Sequence, residues 1–539
     1  MDFGRSGRVR GRAGQGISDA MLPLTSGGSS FTVALANEQA TERLVIDIAA
    51  ALEPGDLVTL SGDLGAGKTT FARAMIRYLA DNPEIPVPSP TFTLIQTYEL
   101  PRFPVVHADL YRLEGPGELA ELGFDDLPKD AVVMLEWPDR AAGFLPPDRL
   151  DVAFTLNPAG GSEARNARIT AYGTFVTRAE RIPAVRRFLD STSYGKAERR
   201  RIQGDASTRS YERLRLGEQR AILMNSPKRP DGPPVRDGKP YSAIAHLAED
   251  ILPFVAMANG LRQRGFSAPQ VYEAELPDGL LIIEDLGSEP VVTGDPPAPI
   301  EERYAAAVDV LLALHGQQLP DSIPVAPHVL HALPPYDMDA YLIEVELLLD
   351  WYLPRLGVPV TEEIRANYVA LWTSMLQVAV EAAPTWVLRD YHSPNLIWLP
   401  ERSGFARVGL LDFQDAMMGP GAYDLASLLQ DARVDVPELM EVSLLGNYVR
   451  GRAEADPNFE PADFIRLYAT LAAQRASKIL GIFARLDRRD GKPQYLRHIP
   501  RVWGYLQRSL AHPALAPLRE WYGQNVPAPE PAAAPAPQS

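Results

Sequence analysis

The 539-residue chain contains no cysteine. That excludes disulfide frameworks and thiolate zinc sites, and it fits a reducing, cytoplasmic location. Long apolar runs are also missing. No stretch approaches 18 uncharged hydrophobic residues, so no transmembrane helix and no membrane partner is expected. Basic residues are the minority, 53 Lys+Arg against 69 Asp+Glu, for a formal net charge of −16. A chain this acidic is not expected to hold nucleic acid by bulk phosphate attraction, which needs clustered Lys and Arg. Histidine is sparse, and no His/Asp/Glu spacing reads as a dedicated transition-metal site. Arg5, Arg8, Arg10 and Arg12 stand among glycines and serines with no apolar run behind them, unlike a secretory signal. Residues 1–29 read as a disordered leader, or as sequence ahead of a start at Met21.

What is present is ordinary globular sequence, 46% hydrophobic and 23% charged, too long for one core. Residues 30–172 alternate β and α patterns. Asp56–Leu60, Val105-Val106 and Ala131–Leu135 read as short strands, Lys68–Ala80 as a helix, and Asp151–Leu156 with Ala167–Tyr172 as a closing antiparallel pair. A basic, polar stretch reads as a linker, placed at 173–183. A second domain is expected over 184–522. Its N-lobe, about 184–290, carries β patterns at Arg213–Leu216, Ala221–Met224 and Leu280–Ile283. Its C-lobe, about 300–522, carries helices at Tyr304–His315, Tyr336–Leu353 and Glu363–Ala382. A Pro/Ala-rich tail, 523–539, is expected to be disordered.

The string Gly62-Asp63-Leu64-Gly65-Ala66-Gly67-Lys68-Thr69 fits G-x-x-x-x-G-K-[ST]. Its glycines let backbone N–H groups turn inward around the phosphates of ATP. Lys68 then reaches the terminal phosphates, and the Thr69 hydroxyl takes a place on Mg²⁺. The string lies between an expected strand and an expected helix, and that helix aims its positive N-terminus at the same anion. Two acids follow apolar strands, Asp109 and Glu136, where ligands bind in such sheets.

Gly62–Thr70, Ser89-Pro90-Thr91-Phe92-Thr93, His107–Leu113 and Glu136-Trp137-Pro138 together resemble the TsaE family, ATPases of tRNA threonylcarbamoyl-adenosine modification. The resemblance covers about residues 30–172. It implies an α/β P-loop NTPase domain with a central, mostly parallel sheet carrying antiparallel strands. It also implies that Thr70 and Thr91 lie near the nucleotide, Thr91 on a switch-like segment, with Trp137 beside it. Asp109 and Glu136 would then organise magnesium or water. The family supports partner proteins of the TsaB/TsaD type that modify position 37 of certain tRNAs, so tRNA is met only indirectly.

A second constellation lies in Val387–Asn395, where Asn395 follows Asp390 by five residues, the spacing of a kinase catalytic loop. An Asp there accepts the proton of the attacking hydroxyl, and the Asn reaches Mg²⁺. The apolar strand Val408–Leu411 then ends in Asp412-Phe413-Gln414-Asp415, placing Asp412 as a metal-binding acid. With Gly204-Asp205-Ala206-Ser207-Thr208-Arg209 and Ile282-Ile283-Glu284-Asp285-Leu286-Gly287, residues 184–520 resemble the aminoglycoside phosphotransferase and choline kinase superfamily, most closely its AmgK branch of anomeric amino-sugar kinases. The resemblance implies a bilobal α+β protein-kinase-like fold. Ser207 and Arg209 would cover the phosphates, and Glu284 and Leu286 would flank the adenine.

One feature departs from that pattern: Met224 stands where the phosphate-anchoring Lys is expected, leaving Arg209 or Lys228 to supply the charge. Asp424 reads as a brace for the catalytic loop. Glu346, Asp350, Trp351 and Tyr352 offer sugar-binding types on one helix, and His315 and His392 read as core or loop histidines. The chain is expected to be a fusion of the two activities. A nucleotide-switched binding module, a kinase for another hydroxylated small molecule and a pseudokinase scaffold stay open as alternatives.

Overall fold

The computed structural model describes residues 28–91, 93–113, 118, 127–141, 143–202 and 209–529. The chain forms two compact units, Met1–Arg187 and Phe188–Ser539.

In the first unit the strands are β1 (Ser29–Leu35), β2 (Leu57–Ser61), β3 (Ile95–Tyr98), β4 (Val105–Asp109), β5 (Val132–Glu136), β6 (Arg149–Leu156) and β7 (Arg165–Tyr172). They make one sheet in the order β1-β7-β6-β2-β5-β4-β3. Its centre, β6-β2-β5-β4, is parallel, and antiparallel strands close both edges. Parallel strands need both faces covered, and β4 accordingly is buried along its whole length. Helix α1 (Glu38–Ala51) is capped by Asn37, whose side chain accepts from Ala40 N (3.0 Å). Helix α2 (Lys68–Leu79) buries Phe71, Ala72, Met75 and Ile76, a stripe at helical spacing. The stretch read as a linker is helical: α3 runs from Phe175 to Asp190. Phe175, Ala179 and Ile182 recur every three or four residues and join the core of the first unit. That apolar stripe, hidden among arginines, is why the segment folds as a helix.

The second unit opens with strands β8 (Glu198–Ile202), β9 (Ser210–Leu216), β10 (Gln219–Asn225), β11 (Val271–Glu275) and β12 (Leu280–Glu284). They form an antiparallel sheet in the order β11-β12-β10-β9-β8, with helix α4 (Leu252–Gln263) between β10 and β11 in the chain. A helical lobe follows. It includes α5 (Glu301–His315), α6 (Met338–Val345), α7 (Glu362–Glu381), α8 (Ala422–Leu429), α9 (Glu438–Ala455) and α10 (Pro461–Asp490). The helix expected over Tyr336–Leu353 is shorter and broken. Asp337 caps it by accepting from Ala340 N (2.9 Å), so α6 begins at Met338. A wider π-helical turn then spans Leu348–Tyr352. Pro354 lacks the N–H that an α-helix would direct to the Asp350 carbonyl, which favours the wider turn.

Short strands β13 (Leu396–Trp398) and β14 (Val408–Leu410) pair antiparallel in the helical lobe. Beyond their ends Leu411 N donates to Asn395 O (2.9 Å), which brings Asn395 alongside Asp412. Among the described residues no helix is long and apolar enough to cross a membrane.

Candidate active sites

Strand β2 runs directly into the glycine loop at the C-terminal end of the parallel sheet. A Cβ at Gly62 would lie 2.4 Å from the Phe154 carbonyl oxygen, so only glycine fits the turn. Gly65 and Gly67 also have positive φ, and a Cβ on either would meet nothing within 4 Å, which leaves the mouth of the loop open for a phosphate group. Lys68, buried, donates from Nζ to the carbonyls of Gly62 (2.7 Å) and Asp63 (2.9 Å). The same ammonium sits 3.7 Å from the centre of the Trp137 ring. Burial lowers the Lys68 pKa, opposed by the nearby charges of Glu136, Asp109 and Asp63.

Sheet register assembles the acids: Glu136 stands opposite Leu60 on one side and Asp109 on the other. Thr69 Oγ1 donates to Glu136 Oε2 (2.9 Å), and His107 Nε2 meets Glu136 Oε1 (2.9 Å) in a fully buried contact. Asp109 accepts from Tyr111 N (2.9 Å), and burial raises its pKa. Gly62–Thr70, Asp109, Glu136 and Trp137 therefore converge at one sheet end. Thr91 does not join them by any described hydrogen bond; it pairs with Ser89 (2.9 Å). In the sequence His107 stands only within the string His107–Leu113. Its role as the side chain holding Glu136 comes from the β4–β5 register.

In the second unit Arg209, Glu284, Leu286, Asp390, Asn395 and Asp412 line one cleft of about 700 Å³. Ser207 lies outside the described residues. Asp412 has φ +57, a left-handed turn that ends the β14 segment and presents its carboxylate to the cleft. Arg209 Nη1 (2.9 Å) and Gln414 Nε2 (2.9 Å) both donate to Asp412 Oδ1. Burial and the neighbouring charge of Asp390 raise the Asp412 pKa, with Arg209 and Gln414 opposing. Asn395 Nδ2 donates to the Asp390 carbonyl (2.9 Å), keeping the amide beside the loop. Glu284 is committed to structure: its carboxylate accepts from Arg402 (2.7 Å), Arg262 (3.0 Å) and Gln270 N (3.1 Å).

The catalytic loop is held from below. Fully buried Asp424 accepts from Leu388 N (2.6 Å) and Arg389 N (2.8 Å), so it braces the loop. Burial pushes its pKa up to about 7, against those two bonds. Arg389, at φ +70 and buried, donates to the Ala245 carbonyl (2.9 Å) and to Glu344. Lys478 reaches the same Glu344 oxygen at 2.7 Å. Burial alone would raise the Glu344 pKa, but Lys478, Arg389 and a bond from Tyr336 hold it down at about 2.

On β10 the cleft meets Ile222, while Met224 is buried; Lys228 is exposed and absent from the lining. The cations near Asp412 are instead Arg209 and Arg229. The sugar-binding types read on the Tyr336–Leu353 helix do not line the cleft. Glu346 accepts from Arg236 (2.6 Å) and Arg365 (3.1 Å), Asp350 accepts from Arg365 (2.6 Å), and Tyr352 is core. Arg433, Arg475 and Lys478 line it, and sequence reading missed all three. Arg475 and Lys478, three residues apart on a helix otherwise small and apolar there, were the available signal.

Among the described residues no group of three His, Cys, Asp or Glu side chains could hold a metal ion by itself. Mg²⁺ suits such sites, because it takes one or two protein oxygens and completes its shell with water and substrate phosphate. Thr69 with Glu136, and Asn395 with Asp412, supply that type of donor.

These two sites define two classes of ATP-handling protein in one chain, a P-loop NTPase and a kinase-like phosphotransferase. Residues 35–166 match the family described as threonylcarbamoyl adenosine biosynthesis protein TsaE, and residues 198–465 match the phosphotransferase enzyme family. An N-acetylmuramate/N-acetylglucosamine kinase of Caulobacter vibrioides is 39% identical over 361 residues, covering 65% of this chain and 97% of that protein. A kinase of the same name from Pseudomonas aeruginosa is 34% identical over 59% of this chain and 85% of its own length. The tRNA threonylcarbamoyladenosine biosynthesis protein TsaE of Rickettsia conorii is 41% identical over 22% of this chain and 67% of its own. The chain belongs to both families: it is a fusion of a TsaE-like P-loop ATPase domain with an ATP-using phosphotransferase domain of the N-acetylmuramate/N-acetylglucosamine kinase type.

Proposed function

We propose that the chain is a bifunctional cytoplasmic enzyme. Its first domain would hydrolyse ATP in support of tRNA N6-threonylcarbamoyladenosine formation at position 37, working on partner proteins of the TsaB/TsaD type. Its second would transfer phosphate from ATP to the anomeric hydroxyl of N-acetylmuramate or N-acetylglucosamine, serving peptidoglycan recycling. The two units, which divide between Arg187 and Phe188, carry the two activities. Mg²⁺, when bound in either site, neutralises phosphate charge.

In the first site Lys68 and the loop N–H groups bind the phosphates, while Thr69, Asp109 and Glu136 organise metal or water. His107 keeps Glu136 oriented, and Trp137 flanks the nucleotide. In the second site Asp390 accepts the proton of the attacking hydroxyl, and Asn395 and Asp412 hold the metal. Ser207 and Arg209 cover the phosphates, with Glu284 and Leu286 at the adenine.

The observation carrying the kinase reading is the placing of Asp390, Asn395 and Asp412 on one cleft within a domain 39% identical to a kinase of that name. ³¹P NMR of the full chain with ATP and each amino sugar tests it: a sugar 1-phosphate resonance is expected. A chain that phosphorylates no amino sugar sinks the reading.

A further inference from the structure

The cleft has a cationic wall that transfer of phosphate to a neutral sugar does not require. Arg475 is only 7% exposed, yet it lines the cleft. Its hydrogen bond is a single 3.2 Å donation from Nη1 to the Gln430 carbonyl, and among the described residues no carboxylate lies within ion-pair distance of it. A guanidinium carries five N–H donors in a planar fork, and burying it without a carboxylate is costly. Arg433 stands on the same wall and donates from Nη1 to His392 Nε2 (2.9 Å).

His392 fixes the distance from this wall to the chemistry. A carbonyl can only accept and a guanidinium can only donate, so His392 is the Nδ1–H tautomer. It donates to the Asp390 carbonyl (3.0 Å) and accepts from Arg433. The Arg433 guanidinium is thus one imidazole ring from the Asp390 backbone, about the span of a hexose ring. Arg209 is engaged elsewhere, bonded to Asp412.

We infer that Arg475 and Arg433 form an anion subsite that reads the lactyl carboxylate of N-acetylmuramate while its anomeric hydroxyl meets Asp390. The inference rests on the amino-sugar kinase reading above. N-acetylglucosamine is the same ring without the lactyl ether, so it meets Asp390 but leaves the subsite to water. Arginine suits the task because its fork matches a carboxylate with two parallel bonds.

Steady-state kinetics of the full chain on both sugars test this. Arg475→Gln and Arg433→Gln should each lower kcat/KM for N-acetylmuramate about 10-fold or more beyond any loss on N-acetylglucosamine, the size expected for one charge-assisted hydrogen bond. The carboxamide of N-acetylmuramate, offered to the unmodified chain, should lose a similar factor, and the Arg475→Gln variant should discriminate acid from amide less than the unmodified chain. That substrate-side comparison needs no variant to fold perfectly, and Arg475→Lys should recover part of the preference. Equal losses on the two sugars would overturn the subsite. So would a rise confined to the KM for ATP, which would assign these arginines to nucleotide phosphates. If the unmodified chain takes N-acetylglucosamine but not N-acetylmuramate, the subsite fails and the kinase reading stands; if it takes neither, both fail.

Discussion

The two candidate sites of this chain are built from different materials. In the first unit the glycine loop, Lys68, Thr69 and Glu136 satisfy one another. Lys68 lies on two carbonyls of its own loop, and Glu136 has Thr69 on one oxygen and His107 on the other. Every group comes from a strand end or the loop and helix that follow, within one sheet. In the second unit the groups come from two lobes and meet across a cleft, where charges of both signs face one another: Asp390 and Asp412 against Arg209, Arg229, Arg433 and Arg475. A site made of backbone and register tolerates little change but is specified locally. A site made of long charged side chains depends on the packing beneath them, which is why Asp424 and Glu344 are buried below the catalytic loop, with Lys478 half-buried against Glu344.

The sharpest way to break the comparison is to show that the sites are not separate. Asp390→Asn keeps the shape but cannot accept a proton, and it should lower sugar phosphorylation by about 1,000-fold or more. Lys68→Ala should lower nucleotide turnover in the first domain by about 100-fold or more, as for loss of a main phosphate contact. Each variant should leave the other activity in place, read by ³¹P NMR for the sugar and by phosphate release without sugar. Loss of both activities in either variant would contradict two independent sites.

A smaller effect tests the packing below the second site. Glu344→Gln strands the buried Arg389 and the half-buried Lys478 without their carboxylate, and should destabilise the second unit by about 3 kcal/mol or more. The pH dependence has a definite sign. Glu344 has an ordinary pKa of 4.5 and a folded value of about 2, so the folded state favours the ionised form. Its contribution is complete above pH 4.5 and is lost as pH falls from 4.5 toward 2. Urea unfolding between those pH values should therefore show a steeper acid loss for the unmodified chain than for the variant.

Much of this was legible in the chain, and the limits have physical causes. Gly62–Thr69 and Asp390-x4-Asn395 are local strings, so their chemistry reads directly from spacing. His107 needed the pairing of β4 with β5, a register that no local string carries. Arg433 and Arg475 come from different segments, and only lobe packing brings them to the cleft. The broken helix after Tyr336 had both of its signals in view, Asp337 as a cap and Pro354 as a breaker, but apolar periodicity across them was the stronger pattern. Glu346 and Asp350 are engaged by Arg236 and Arg365 rather than by the cleft.

The smallest expected effect concerns the lysine missing from β10. Arg229 lines the cleft beside Arg209, with Asp412 and Asp415 as the facing acids. Burial and the like charge of Arg209 lower its pKa, so the position is unfavourable for a cation on its own account. A polyphosphate between the two arginines would reverse that balance, and Arg229 would then substitute from the loop after β10 for a lysine within it. Arg229→Ala should raise the KM for ATP about 5- to 10-fold, the size of one partly solvated charged hydrogen bond. Arg229→Lys should recover part of the loss, because a point charge still attracts phosphate without the planar fork. A change in the sugar KM with the ATP KM unmoved would place Arg229 with the sugar-side arginines and leave the nucleotide phosphates to Arg209.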